Sequence, residues 1–190
     1  MGDLVTMDDL TNEEIVAILD DSERLVPVAK GVVNLPLLEG KVLANMFFEN
    51  STRTRMSFET AMKRLGGSVL NFSSVGTSVS KGETLYDTMQ MIDGYADIAA
   101  IRHPRQGAAQ YSADAVEIPI LNAGDGAGNH PTQTMLDLFT IRQAHGKFEG
   151  LNVVLVGDLR YGRTAHSLSH ALVRLGARLT LVSPAVLSMP

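Results

Sequence analysis

Cysteine is absent from this chain of 190 residues, so the sequence can form neither a disulfide framework nor a thiolate metal site. Residues 1–10 mix three aspartates with apolar residues, unlike a signal peptide. No apolar run approaches the length that a membrane-spanning helix needs. These absences predict a soluble, cytoplasmic protein, because a reducing cytosol suits a chain without disulfides.

The chain also lacks any block of lysine and arginine residues, and its net charge is -5 with an isoelectric point of about 5.5. Both features argue against nucleic acid or a membrane surface as the main partner. A small cluster of cations can still bind a phosphate group in an acidic protein. The charge therefore allows a local anion site but not a broad basic surface.

Hydrophobic residues make up 45% of the sequence, and a globular chain of this length buries about 70% of its unfolded surface. Short apolar runs alternate with segments of helical spacing, which predicts an α/β fold with a three-layer arrangement, a parallel sheet flanked by helices. Thr11 and Glu14 form the pattern of a capping box at the first helix. The predicted strands are residues 42–48, 68–72, 98–101, 118–121, 153–156 and 178–182. The predicted helices are residues 11–25, 51–65, 83–95, 106–115, 131–144 and 163–175, and residues 122–129 are predicted to form a loop that holds three glycines.

The order of these elements predicts two units. Residues 1–133 form a first α/β domain, and residues 134–150 form a linking helix and a joint with glycine at 146 and 150. Residues 151–190 begin a second, Rossmann-like domain, which has only two predicted strands. The second unit is therefore expected to be a truncated start of a domain.

Polar and basic side chains follow each of the first four predicted strands. They lie in residues 49–55, 77–83, 102–104 and 125–133. Ligands of open parallel sheets bind beyond the carboxyl ends of the strands. We therefore expect these four segments to meet at one edge of the sheet and to form a single site.

Ser51, Thr52, Arg53 and Thr54 stand at the start of a predicted helix. A helix start carries unpaired N–H groups and partial positive charge, and hydroxyl and guanidinium groups would add further donors around one anion. The alternative is an ordinary Ser/Thr cap, but a cap needs one hydroxyl rather than three interleaved with arginine. The pattern favours an anion site.

Three basic residues in the other segments each have an interpretation other than ligand binding. Lys81 lies in a Ser/Gly-rich loop, where a solvated lysine is the simpler interpretation. Arg102 ends an apolar strand, where it could bind a ligand or form a structural ion pair with Asp125 or Glu49. His103 should point away from the site, because adjacent strand residues face opposite sides.

His130 and Gln133 lie three residues apart at a helix start, so both side chains can face one pocket. No second histidine or carboxylate stands at metal-ligand spacing near them, which makes a metal site improbable. In the second unit, residues 157–164 resemble a Rossmann turn without the full glycine pattern, and Arg163 could instead receive a carboxylate. His166 and His170 could chelate a metal, but without a third ligand a surface face is the better interpretation.

Taken together, these motifs resemble the aspartate/ornithine carbamoyltransferase family over essentially the whole chain. The motifs that carry the resemblance are Ser51-Thr52-Arg53-Thr54 within residues 47–55, residues 77–84, Arg102-His103-Pro104, residues 122–126, His130-Pro131-Thr132-Gln133, and Gly157-Asp158-Leu159 with Gly162-Arg163-Thr164. Glu49, the His-Pro-Thr-Gln segment and the lysine-bearing loop favour aspartate over ornithine as the acceptor within this family. The resemblance assigns residues 1–133 to a carbamoyl-phosphate-binding domain and residues 151–190 to the incomplete start of an aspartate-binding domain.

The resemblance also implies roles for single residues. Binding of carbamoyl phosphate falls to Ser51, Thr52, Arg53, Thr54, Arg102, His130 and Gln133, and to Ser78 of a neighbouring subunit. The catalytic donors to the carbonyl oxygen are Thr54, Arg102 and His130. Aspartate would be held by Arg163, which Glu49 can pair with, and by Lys81 of the neighbouring subunit.

The implied reaction transfers the carbamoyl group from carbamoyl phosphate to the amine of L-aspartate, in pyrimidine synthesis, within a homotrimer. No cofactor or metal is required, because phosphate is a good leaving group. The sequence leaves open whether a regulatory chain binds. It also leaves open an ornithine carbamoyltransferase, a non-catalytic assembly subunit and a simple nucleotide-binding module. Since the family's later aspartate-pocket residues are missing, we expect weak or no transfer by these 190 residues, with anion binding retained.

Overall fold

The computed structural model describes residues 2–73 and 81–190, which form six strands, six α-helices and two short 3-10 turns. The strands are β1 Val42–Phe47, β2 Ser68–Ser73, β3 Ile98–His103, β4 Ile120–Asp125, β5 Asn152–Val156 and β6 Arg178–Val182. The helices are α1 Asn12–Ala29, α2 Thr52–Arg64, α3 Leu85–Asp93, α4 Ala108–Ala113, α5 Pro131–His145 and α6 Arg163–Arg174, and the 3-10 turns are Met7–Asp9 and Ala185–Leu187.

Four of the strands form one parallel sheet in the order β2-β1-β3-β4. The central strands β1 and β3 consist largely of buried residues, as expected for a sheet with helices on its faces. The segment before the first helix extends the β4 edge, because Leu4 donates from its N–H to Ile120 O (2.8 Å) and accepts from Asn122 N (2.9 Å). The predicted α/β architecture is confirmed.

The largest difference from the sequence prediction lies in β4. A strand at residues 118–121 followed by a glycine-rich loop was expected, whereas the strand continues to Asp125. Its polar side chains are buried but paired: Asn122 Nδ2 donates to Val5 O (2.9 Å) and to Asp125 Oδ1 (3.0 Å). The loop prediction for residues 122–125 was therefore wrong, because hydrogen bonds to distant residues satisfy side chains that are typical of loops.

Helix starts follow the local signals closely. Thr11 caps α1 by accepting from Glu14 N, while the Glu14 side chain accepts from Thr11 N, so the predicted capping box is present. Thr84 and Asp87 form the same arrangement at α3. Gly66, with a φ of 86°, follows the end of α2, where a left-handed conformation favours glycine.

The strands β5 and β6 pair in parallel, and the helix α6 connects them along the chain. One large hydrophobic cluster joins this part of the chain to the rest, because Leu172 of α6 packs in the same cluster as Ile15 and Leu19 of α1 and Leu138 of α5. On the other face, the side chains of Val154 and Val156 are exposed. The domain division at residues 134–150 remains a prediction. None of the described helices is long and apolar enough to cross a membrane.

Candidate active site

One cavity of about 580 Å³ is lined by residues at or after the carboxyl ends of β1, β3, β4 and β5. Six of the predicted site residues line it together: Arg53, Thr54, Arg102, His130, Gln133 and Arg163. The remaining lining residues are Ser57, Phe58, Ala61, Thr132, Leu136 and Thr164. The predicted segments after β1, β3 and β4 therefore meet at this cavity, whereas residues 81–83, the described part of the predicted segment 77–83, do not line it.

Three helices begin at this cavity without a side-chain cap. The cap positions are Ser51 for α2, His130 for α5 and Gly162 for α6, and none of these residues makes a side-chain cap hydrogen bond within the described structure. By contrast, Thr11 and Thr84 cap α1 and α3 fully. Uncapped helix starts present N–H groups and partial positive charge, which suit an anion.

Glu49 joins two of the arginines that line the cavity, Arg102 and Arg163. Its Oε1 accepts from Arg102 Nε (2.6 Å) and from Arg163 Nη2 (2.7 Å). Burial by itself would raise the pKa of the Glu49 carboxyl, but the hydrogen bonds and charges of Arg163 and Arg102 outweigh burial, and the pKa is lowered. Arg102 thus forms the ion pair with Glu49 that its position suggested, and it also lines the cavity.

Asp125, the other candidate partner for Arg102, is used elsewhere. Its carboxylate accepts from Gly107 N (2.6 Å), Asn129 N (2.9 Å) and Asn122 Nδ2 (3.0 Å). These bonds fix the turn after β4. Asp125 therefore shapes the segment that carries His130 rather than neutralising Arg102.

His130 is buried, and its backbone N–H donates to Ser167 Oγ (3.0 Å) in α6. Burial lowers the pKa of the imidazole from 6.5 to about 4, and the positive charges of Arg102 and Arg163 act in the same direction. The ring is therefore neutral near pH 7. Its Nδ1 lies 3.3 Å from Thr132 Oγ1. If the Thr132 hydroxyl donates to Nδ1, then Nε2 carries the proton and can donate to a ligand.

The Arg163 side chain lies close to Gly124, a position at which a larger residue would leave it less room. A Cβ placed on Gly124, whose φ is 113°, would stand 3.1 Å from Arg163 Nε. Arg163 Nη1 is buried and has no hydrogen-bond partner among the described residues. Neither Gly124 nor Ser167 was predicted as a site residue from the sequence. A glycine within a strand pattern is a signal for close approach, whereas nothing in the sequence marked Ser167.

Other predicted residues lie outside this cavity. Ser51 and Thr52 stand at the start of α2 but do not line it, and Lys81 is exposed away from it. Ser78 lies outside the described residues. His103 also lies outside the cavity, as predicted; its ring packs 5.1 Å from that of Phe48 and accepts from Arg105 N.

The surface interpretation of the second-unit histidines was wrong for His166. Its ring is partly buried, with Nδ1 3.0 Å from Ala127 O and Nε2 2.8 Å from Leu159 O, so it connects the segments after β4 and β5. His170 is exposed, as expected. No group of three or more potential metal ligands occurs within the described part of the chain.

Comparison with known proteins shows the family of this chain. Residues 2–143 match the family model for the carbamoyl-phosphate-binding domain of aspartate/ornithine carbamoyltransferases. The chain belongs to this family. It is 51% identical over 191 residues to the aspartate carbamoyltransferase catalytic subunit of Archaeoglobus fulgidus, and the match covers 100% of this chain and 64% of that relative.

Solved structures of carbamoyltransferases have the same fold. The catalytic subunit of M. jannaschii aspartate transcarbamoylase superimposes with a TM-score of 0.91 at 49% identity, covering 100% of this chain and 63% of that structure. The Trypanosoma cruzi enzyme, solved with carbamoyl phosphate and aspartate, gives a TM-score of 0.93 at 41% identity, covering 100% and 60%. The chain thus spans somewhat less than two thirds of the length of these relatives.

Proposed function

We propose that this chain carries the carbamoyl-phosphate site of an aspartate carbamoyltransferase, which forms N-carbamoyl-L-aspartate and phosphate in pyrimidine synthesis. The observation that carries the proposal is the single cavity lined by Arg53, Arg102 and His130, at which three helices begin without side-chain caps. Such a set of donors suits a phosphate dianion better than a neutral ligand. The Trypanosoma cruzi relative solved with carbamoyl phosphate and aspartate supports both substrates.

The proposed chemistry needs only positioned donors. The amine of aspartate attacks the carbamoyl carbon, negative charge develops on the carbonyl oxygen, and phosphate leaves. Thr54, Arg102 and the neutral His130 would donate to that oxygen, and each such donor typically lowers the barrier by about 3 kcal/mol. Alignment of the two substrates contributes about 7 kcal/mol more.

Arg163 is the proposed receptor for a carboxylate of aspartate. Two observations support this role. Arg163 lines the cavity, and its Nη1 has no hydrogen-bond partner among the described residues, while its Nη2 donates to Glu49. A cation at this position suits a dicarboxylic acceptor and disfavours cationic ornithine. Ser51 and Thr52 are proposed to assist phosphate binding from the start of α2.

We further propose a cytoplasmic homotrimer in which Ser78 and Lys81 complete a neighbour's site. The exposure of Lys81 outside its own chain's cavity supports a contribution in trans. A regulatory chain is not required by any of these contacts. Because the chain covers 60–64% of its relatives, we expect the 190 residues alone to bind carbamoyl phosphate but to transfer its carbamoyl group weakly or not at all.

Calorimetric titration with carbamoyl phosphate and with inorganic phosphate tests the proposal. Arg102→Ala should weaken binding of both about 10- to 100-fold, the effect of losing one charge-assisted hydrogen bond. The matched control is Arg105→Ala, an exposed arginine three residues later outside the cavity, which should change affinity less than threefold. No binding to the wild-type chain, or equal effects of the two variants, would refute the site.

The acceptor is tested separately with ¹³C-labelled carbamoyl phosphate and equimolar L-aspartate and L-ornithine. Labelled N-carbamoyl-aspartate is the expected product, in trace or larger amounts. Labelled citrulline would favour the ornithine enzyme instead.

A further inference from the structure

Gln133 lines the cavity, and its side-chain amide forms a hydrogen bond with a residue in the next turn of α5. Gln133 Nε2 donates to Asp137 Oδ1 at 3.0 Å. A glutamine amide has two unlike ends, an oxygen that only accepts and an NH₂ group that only donates. Which end reaches a ligand therefore depends on which end its neighbour holds.

An ionised carboxylate only accepts hydrogen bonds, so Asp137 can hold only the NH₂ end of Gln133. Among the residues that the structure describes, the one side-chain hydrogen bond of Gln133 is made by its NH₂ end, and none is donated to the opposite end, Oε1. Asp137 itself is half-buried and does not line the cavity. Its hydrogen-bond contact with the cavity lining is made through Gln133.

We propose that Asp137 is a positioning residue that orients the Gln133 amide so that its oxygen accepts from an N–H group of the ligand. This inference rests on the proposed function, in which that N–H group is the amide of carbamoyl phosphate. The oriented oxygen makes the site select a carbamoyl group over an acyl group of similar shape that carries methyl instead of NH₂. A site built to accept from an N–H loses affinity for the analogue that lacks it, because its acceptor stays unpaired.

Two stable ligands isolate this discrimination. Phosphonoacetamide carries the NH₂ group, and phosphonoacetone carries methyl in its place; both replace the labile bridging oxygen by CH₂. Titration calorimetry should show that the wild-type chain prefers phosphonoacetamide at least tenfold. Asp137→Asn, whose side chain can donate as well as accept, should reduce that preference to within threefold while leaving the affinity for phosphonoacetone and inorganic phosphate unchanged within twofold.

The chain contains a matched control. Gln110 Nε2 donates to Asp114 Oδ1 (2.8 Å) with the same spacing of four residues, at the end of α4 and outside the cavity. Asp114→Asn should leave the preference intact. Asp137→Glu keeps an acceptor-only side chain and should retain most of it. If Asp137→Asn does not fold, Asp137→Ser removes the carboxylate with a smaller neutral side chain and gives the same comparison.

The outcomes separate this inference from the proposed function. A wild-type chain that binds none of these phosphonates nor carbamoyl phosphate would contradict both. Equal binding of the two phosphonates by the wild-type chain, or an equal loss for both in Asp137→Asn, would overturn the orienting role alone. A preference lost in Asp137→Asn and kept in Asp114→Asn and Asp137→Glu would support it.

Discussion

His130 shows how a single residue acquires its properties from its surroundings. It is buried, and burial together with the positive charges of Arg102 and Arg163 outweighs the opposing charges of Asp125 and Glu49, so adding a proton to the ring is unfavourable. The lowered pKa keeps the imidazole neutral at physiological pH. A neutral ring can donate one hydrogen bond to a developing oxyanion without adding to the repulsion among the cations.

This property predicts acid sensitivity. The pKa of His130 is about 4 in the folded chain and 6.5 in the unfolded chain, so the unfolded state takes up the proton first as the pH falls. Stability linked to His130 is therefore complete above about pH 6.5 and is lost as the pH falls toward 4. At pH 5 the loss should be about 2 kcal/mol relative to pH 7.

Urea unfolding at pH 7 and pH 5 measures this loss. His130→Gln, which cannot titrate, should lose about 2 kcal/mol less than the wild type between the two pH values. His145→Gln, at the exposed end of the same helix, should behave like the wild type. Identical pH dependence in all three chains would contradict a lowered pKa at His130.

At the scale of the element, five of the six α-helices form two groups by how their first turns begin, while the short helix α4 begins at Gly107, which has no side chain to cap it. Thr11 and Thr84 cap α1 and α3 through their own side chains. The helices α2, α5 and α6, which begin at the cavity, have no side-chain cap within the described structure. Some of their first N–H groups already donate to backbone carbonyls, such as Gln133 N to His130 O (3.1 Å) and Arg163 N to Tyr161 O (3.0 Å). In the proposed site, a ligand would therefore meet only the remaining N–H groups of these helix starts.

The two groups should respond differently to loss of a hydroxyl. Thr11→Ala should lower the free energy of unfolding by about 1 kcal/mol, the usual effect of removing a cap. Ser51→Ala should lower it by less than about 0.5 kcal/mol without ligand, because Ser51 makes no cap hydrogen bond. Urea unfolding with and without saturating phosphate measures these losses. Phosphate should enlarge the loss of unfolding free energy in Ser51→Ala but not in Thr11→Ala. Equal losses in the absence of phosphate would show that Ser51 acts as an ordinary cap.

At the scale of the whole molecule, one hydrophobic cluster crosses the joint at residues 146–150. Leu172, from the part after the joint, is fully buried with Leu19 and Leu138 from the part before it. The two parts therefore share apolar contacts that neither could replace by itself. Such a shared core predicts that they unfold together.

Leu172→Ala should destabilise the entire chain by about 3 kcal/mol, because it leaves a cavity in this shared cluster. Calorimetry should show a single transition at lower temperature, and amide hydrogen exchange should accelerate in α1 as well as in α6. Val173→Ala, at the neighbouring position that is 60% exposed, should change stability by less than about 0.5 kcal/mol. Two separate transitions, or faster exchange confined to α6, would show that the two parts fold independently.

Local patterns in the sequence predict most of the helices and strands, and also the edge of the sheet at which the site lies. Capping boxes, apolar periodicity and glycine stops act over a few residues, so α1, β1 and α5 could be predicted within a few residues. The rule for parallel strands then predicted that Arg53, Arg102 and His130 meet. The prediction failed at residues 122–125, where the polar composition of the segment resembled a loop.

The folded arrangement, by contrast, was needed to show which charged groups pair with one another and which remain available to a ligand. Glu49 rather than Asp125 pairs with Arg102, across 53 residues, and with Arg163, across 114. The neutral state of His130 likewise follows from its burial. The hydrogen bond from Gln133 to Asp137 follows from the contact between their side chains. Desolvation and charge pairing depend on neighbours that the fold brings together from far along the chain, and no local pattern records them.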